Sequence, residues 1–156
     1  MSDSYNSSVG IVLIFGAAMI VFGLILFLGV VGWSDFNQPA DIASIQEAIE
    51  SSGLHICAQG NINWSTTPGF VTGKYYDVST DCSNYDPNKP GARVFVVKFD
   101  SAAARDSALR NFETTRRHIG SAVAFSKGPL IIVADGPQDD KVMVLLNDAL
   151  KGAGAQ

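Results

Sequence analysis

The residues that could do chemistry in this chain are few, and they centre on two cysteines. Cys57 and Cys82 are the only thiols, and His55 precedes Cys57 in the pattern H-x-C. A structural zinc site takes four ligands. Cys82 could join His55 and Cys57 as a third, but no residue supplies a convincing fourth, so we expect no metal and no cofactor. An even pair favours a Cys57–Cys82 disulfide, with two buried thiols in a cytoplasmic domain as the alternative.

Oxygen ligands for calcium are also present, but in the wrong order. Asp77, Asp81 and Asp86, together with Asn84, could supply carboxylate and amide oxygens. An EF-hand loop needs a defined run of ligands that ends in Glu. This order departs from that run, so we interpret the carboxylates as turn formers.

No catalytic motif stands out. The sequence lacks GxGxxG, the P-loop, GxSxG, HExxH and CxxC. A Ser–His–acid triad can be assembled on paper from many serines, but a triad is recognised by geometry and no local signature supports one. We therefore assign no catalytic residues and do not expect an enzyme.

Two groups of residues could bind a partner or ligand instead. An irregular segment, 60–92, is rich in Asn, Thr, Pro and Gly, and long irregular segments in compact domains are often functional. Its aromatic residues form a candidate interaction loop; they could equally cover a sheet edge: Trp64, Phe70, Tyr75, Tyr76 and Tyr85. Arg116, Arg117 and His118 form a candidate anion site, although cations at a helix C-terminus also complement its dipole.

The segment that must position everything else is apolar. Val9–Gly32 carries no charge, and its 24 residues would form a helix of about 36 Å, long enough to cross a hydrocarbon core of about 30 Å. We predict a single transmembrane helix contacting membrane lipid. Gly16 and Gly23 fall near one helical face and could pack against a neighbouring helix. A cleaved signal peptide is disfavoured because residues 1–8 contain no Lys or Arg and the apolar run is too long.

The side of the membrane is harder to predict. The first basic residue after the span is Lys74, too distant for the positive-inside rule. Sequons at Asn6 and Asn63 lie on opposite sides of the span and decide nothing. The cysteine pair, the polar segment 60–92 and the short tail all favour an extracytoplasmic domain.

The remaining chain predicts one globular domain. We divide the sequence into a polar tail (1–8), the span (9–32), a linker (33–40), an extramembrane domain (41–152) and a frayed tail (153–156). Hydrophobic periodicity and turn residues predict helices at 41–52, 101–115 and 137–151, and strands at 54–59, 71–78, 93–99, 121–125 and 130–134. This order indicates an α+β domain of two layers, a mostly antiparallel sheet with helices on one face. The run from Arg93 onward resembles part of a ferredoxin-like split β-α-β, with an N-terminal strand filling the missing place.

The net charge of the chain limits the kinds of partner that it could bind. The formal net charge is −4 and the pI about 4.9, which argues against nucleic acid or anionic headgroups as the main partner. We expect an accessory or structural subunit of a membrane or envelope assembly that binds other membrane proteins, and oligomer formation stays open. The alternative is a membrane-tethered module that binds or senses a small ligand.

Overall fold

A computed structural model describes residues 40–89, 91–116, 122–137 and 140–156 of the chain. These residues confirm a mixed α+β fold. It contains, in chain order, α1 (Ile42–Ser51), β1 (His55–Asn61), β2 (Phe70–Ser79), β3 (Ala92–Phe99), α2 (Ala102–Arg116), β4 (Val123–Lys127), β5 (Leu130–Asp135) and α3 (Lys141–Gly152).

The five strands form one antiparallel sheet in the order β1-β2-β3-β5-β4. In its centre, Tyr76 of β2 pairs with Val94 of β3, which pairs with Ala134 of β5. Because β5 is antiparallel to both of its neighbours, β3 and β4 run in the same direction with β5 between them. The crossover through α2 is therefore a split β-α-β connection, and β2 occupies the other side of β3.

Helices cover both faces of this sheet, so the prediction of helices on a single face is wrong. Val94 and Val96 belong to a core cluster with α1 and α3. Val97 and Phe99, which point the opposite way, pack against α2. Neighbouring residues of a strand alternate between faces, and β3 is apolar on both, as a strand buried on both sides must be. The protein buries that second face with the α2 stripe of Ala104, Ala108, Leu109 and Phe112.

Helix ends follow local hydrogen bonding. Asp41 caps α1, because its side chain accepts from the Ser44 N–H at 2.7 Å. Gly53 ends α1 with a φ of 82° that suits glycine. α3 begins later than predicted: Asp140 is its N-cap and accepts from the Val142 N–H at 2.8 Å. Pro137 therefore precedes the helix and is not its first residue.

The C-terminal residues are docked, which differs from the expected frayed tail. Ala155 is buried in the core beside α1 and α3. The Gln156 N–H donates to the Ser126 carbonyl at 2.9 Å, and the Ser126 N–H donates to the Gln156 carbonyl at 2.6 Å. β4 is an edge strand with unpaired backbone groups, and these two bonds satisfy a pair of them.

Several predictions concern residues outside the described ranges. They include the whole span Val9–Gly32, with Gly16 and Gly23 in it, and Arg117 and His118. No helix within the described ranges is long and apolar enough to cross a bilayer.

Candidate interaction surface

The predicted disulfide joins the first strand to the loop between β2 and β3. Cys57 of β1 is bonded to Cys82, with the two Cα atoms 5.3 Å apart. Cys57 sits where the register of β1 against β2 shifts, between Ile56 and Ala58. A bulge re-aims the side chain of its extra residue. The bond therefore fastens residues 80–89 and 91, here called the 80–91 loop, against the edge of the sheet.

A buried carboxylate lies next to this loop. Asp77 of β2 is 1% exposed. Its carboxylate accepts from the Arg93 guanidinium through Nε at 2.5 Å and a second nitrogen at 2.8 Å, and from the Tyr85 hydroxyl at 2.5 Å. Burying a charge is costly unless it is paired and hydrogen-bonded, and here both oxygens have charged or hydroxyl donors. The arrangement keeps Asp77 ionised inside the fold.

The electrostatics of these groups follow from their contacts. Burial raises the pKa of Asp77, but the hydrogen bonds from Arg93 and Tyr85 and the charge of Arg93 outweigh it, so the net pKa is lowered. Because Asp77 accepts a hydrogen bond from the Tyr85 hydroxyl, it raises the pKa of Tyr85, and burial adds to this. The hydrogen bond to Asp77 likewise raises the pKa of Arg93. All three groups therefore hold their ordinary charge states at neutral pH.

Tyr75 extends this group across the sheet. The Arg93 guanidinium lies 5.4 Å from the centre of the Tyr75 ring, within cation–π range. The Tyr75 ring also occupies the space above Gly60, where an added Cβ would stand 2.5 Å from a ring atom. Glycine at that point lets an aromatic ring lie flat on the backbone. We call Tyr75, Asp77, Tyr85 and Arg93 the Arg93 cluster.

Register puts the cluster on the α2 side of the sheet. Arg93 pairs with Asp77, and Phe95 pairs with Tyr75. Arg93 and Phe95 alternate in step with Val97 and Phe99, which pack against α2. The Arg93 side chain is 36% exposed, whereas Asp77 is sealed beneath it. The cluster thus presents an arginine and two half-buried tyrosine rings over a buried acid.

An open cleft lies beside the disulfide. It has a volume of about 530 Å³ and is lined by Leu54, Ile56 and Cys82 together with the polar residues Glu50, His55, Asp81 and Ser83. The Ser83 N–H and hydroxyl both donate to Asp81, and these bonds lower the pKa of that carboxyl. Within the described ranges, no group of three or more His, Cys, Asp and Glu side chains could hold a metal ion.

The five aromatic residues singled out from the sequence do not form one surface. Tyr75 and Tyr85 meet in the Arg93 cluster. Tyr76 is fully buried on the side of α1 and α3, where burial and then the charge of Glu50 raise its pKa. Trp64 is 38% exposed in the loop between β1 and β2. Phe70 packs against the core residues on the α2 side of the sheet.

Sequence reasoning missed the pairing of Asp77 with Arg93. Asp77 was interpreted as a turn carboxylate, but it lies within β2, between Tyr76 and Val78. An acid flanked by buried apolar neighbours in a strand needs a partner, and this requirement is the signal that could have found it. Arg116 is the last residue of α2, and the rest of the candidate anion site falls outside the described ranges.

Comparison with known proteins gives no relative from which a role could be transferred. No protein-family description, curated protein or solved structure matches the chain. The residues themselves must therefore indicate the function.

Proposed function

We propose that this chain is a single-span membrane protein whose disulfide-bonded α+β domain works on the extracytoplasmic side as an interaction subunit of a membrane or envelope assembly. The observation that carries the proposal is the Cys57–Cys82 disulfide. Disulfides persist in oxidising compartments and are rare in the cytosol. The uncharged segment Val9–Gly32 supplies the anchor.

The Arg93 cluster is the surface proposed for the partner. Tyrosine and arginine are enriched in the cores of protein interfaces and at their energetic hot spots. Here Arg93 is pre-positioned by Asp77 and stacks on Tyr75. Ordering a free arginine side chain on binding costs entropy, and this arrangement has already met that cost in the unbound domain.

The side of the membrane is tested first, with the full chain expressed in intact cells. A membrane-impermeant reductant followed by an impermeant maleimide should label both cysteines, and maleimide without reductant should label neither. Permeabilised cells serve as the control for access. Labelling without reduction, or labelling only after permeabilisation, would contradict the extracytoplasmic assignment.

The interaction is tested by affinity purification of the full chain from mild detergent, followed by mass spectrometry. We expect a reproducible set of membrane proteins that is lost on Tyr75→Ala and kept on Val144→Ala. Val144 is a matched control because it is 50% exposed on α3, away from the cluster. A chain that always purifies alone would contradict the proposal.

The cleft beside Cys82 supports a second candidate, a membrane-tethered module that binds or senses a small ligand. Its open volume and its lining of Glu50, His55 and Asp81 suit a small polar molecule better than an apolar one. Screening polar metabolites by thermal shift would favour this role if binding were lost on His55→Ala. A partner set that depends on Tyr75, with no ligand found, would favour the interaction role.

A further inference from the structure

The tip of the β1–β2 hairpin presents apolar side chains to solvent. The Ile62 N–H donates to the Gly73 carbonyl at 2.9 Å, which continues the pairing of the two strands. Two residues further along each arm stand Trp64 and Val71, 38% and 52% exposed. Together with Val144, they are the large hydrophobic side chains that the described residues expose. We call residues 62–71 the hairpin tip.

The backbone of the hairpin tip is held in place. The Thr67 N–H donates to the Trp64 carbonyl at 2.7 Å, and the Phe70 N–H donates to the Thr67 carbonyl at 3.2 Å. At its base, the Asp100 N–H donates to the Gly69 carbonyl at 2.9 Å. Phe70 points inward and packs against the core residues on the α2 side of the sheet. Trp64 and Val71 are therefore displayed by an ordered loop, in which fewer backbone conformations remain to be lost on binding.

Composition favours a lipid surface as the occupant. The hairpin tip contains no Asp, Glu, Lys, Arg or His, and neither does the wider segment 56–73. Its polar side chains are Asn63, Ser65, Thr66 and Thr67, uncharged groups that keep their hydrogen bonds to water in a headgroup layer. Trp is enriched at the membrane–water interface because its ring is apolar and its N–H is polar. In a chain of net charge −4, this is a segment that can approach a bilayer without moving a charge.

Only a short segment of chain separates the proposed span from the described domain. Residues 33–39 separate Gly32 from the described domain, and fully extended they span at most about 25 Å. A domain of this size has a diameter of about 35 Å, from the scaling of its radius of gyration. With the proposed span in the bilayer, this length of chain would limit how far Ala40 can move from the membrane, and a weak contact would form often because the local concentration is high.

We propose that the hairpin tip inserts Trp64 and Val71 into the headgroup region of the bilayer that holds the anchor. This inference rests on the proposed membrane span and adds a second, reversible contact to it. The contact would orient the domain on the membrane. The Arg93 cluster would then meet its partners in one fixed orientation.

The two tryptophans of the chain give a direct test. The full chain is reconstituted in phosphatidylcholine vesicles with plain or brominated acyl chains, as Trp33→Phe and as Trp64→Phe. In Trp33→Phe all tryptophan emission comes from Trp64. We expect this emission to be quenched by brominated lipid and shifted to shorter wavelength. In Trp64→Phe the emission comes from Trp33, which reports on the anchor.

The outcomes separate the two claims. Quenching of both tryptophans supports both. Quenching of Trp33 alone overturns the lipid contact, leaves the anchor standing and makes a protein the remaining occupant of the tip. Quenching of neither overturns the anchor and the contact together, and quenching of Trp64 alone supports the contact while overturning the anchor.

A charge at the tip provides a matched pair of variants. In the Trp33→Phe background, Val71→Asp should abolish the quenching of Trp64, because a carboxylate must then enter the headgroup layer. Val144→Asp places the same charge at an equally exposed valine on α3 and should leave quenching unchanged. Equal loss in both variants would overturn the contact. Circular dichroism of each variant checks that the fold is retained.

Discussion

Replacing Arg93 by methionine tests the electrostatic core of the Arg93 cluster. The substitution keeps an apolar side chain near Tyr75 but removes both guanidinium donors from the Asp77 carboxylate, which keeps the hydrogen bond from the Tyr85 hydroxyl. Removing one partner of a fully buried ion pair costs about 3–5 kcal/mol. Arg93 is 36% exposed, so water can partly replace it, and we expect a loss of about 2–3 kcal/mol after that discount.

Two companion variants calibrate the Arg93 result. Tyr85→Phe removes one hydrogen bond to Asp77 and leaves the guanidinium pair intact, so it should cost clearly less than Arg93→Met. Lys98→Met removes a cation from the same strand at a half-exposed position that makes no ion pair with the described residues, and should change stability by less than about 0.5 kcal/mol. The free energy of unfolding is measured by urea titration of the full chain in non-ionic detergent, followed by circular dichroism.

The pH dependence of stability follows from the lowered pKa of Asp77. Because the folded-state pKa of Asp77 is lowered, its ionised form stabilises the fold above the unfolded pKa of about 4, and this stabilisation is lost as pH falls through the folded pKa. The gap between wild type and Arg93→Met should therefore shrink below about pH 4. A loss no larger than that of Lys98→Met, or a gap that stays constant into acid, would refute the reasoning.

Three further predictions concern the scaffold. Replacing Cys57 and Cys82 by serine removes a bond with a sequence separation of 25 and should lower stability by about 3 kcal/mol, seen as a lower urea midpoint; equal midpoints for oxidised wild type and variant would contradict this. Asp41→Ala removes the α1 cap and should cost about 1 kcal/mol, and no measurable loss in the same titration would argue against that cap. Gly69→Ala should cost more than about 1 kcal/mol, because φ is 75° and the new Cβ would lie 2.3 Å from that of Ala104; unchanged hydrogen exchange in the hairpin tip would contradict it.

Most of the secondary structure could be predicted because it depends on short-range patterns. Gly53 marked the end of α1, and the segment Arg93–Phe99, which is apolar from Val94 to Val97, marked a central strand. Strands were also predicted at 121–125 and 130–134, and the hairpin that β4 and β5 form has a shorter turn than that spacing implies. Lys127 pairs with Leu130, so Gly128 and Pro129 alone form the connection and Ser126 belongs to the strand. Twisted antiparallel strands favour such two-residue turns.

The layer arrangement could not be read from element order alone. A helix that follows a strand can pack on either face unless handedness and the next strand decide it, and the prediction assumed a single covered face. The apolar residues on both sides of β3 already required a second cover. Ala104 and Ala108 on α2 allow a close approach to the sheet, and they supply that cover.

The 80–91 loop shows why the candidate surface lay beyond sequence reasoning. Its composition suggested an irregular, adaptable segment, yet Cys82 is bonded to β1 and Tyr85 donates to Asp77 of β2. Within the loop, Asp86 accepts from the Asn88 N–H at 2.9 Å, a local turn of the kind that its composition does predict. The disulfide and the hydrogen bond from Tyr85 to Asp77 each join positions that only the folded sheet brings together. An ordered loop therefore holds Tyr85 over the acid that positions Arg93, so the surface proposed for a partner depends on the same disulfide on which the proposed extracytoplasmic location rests.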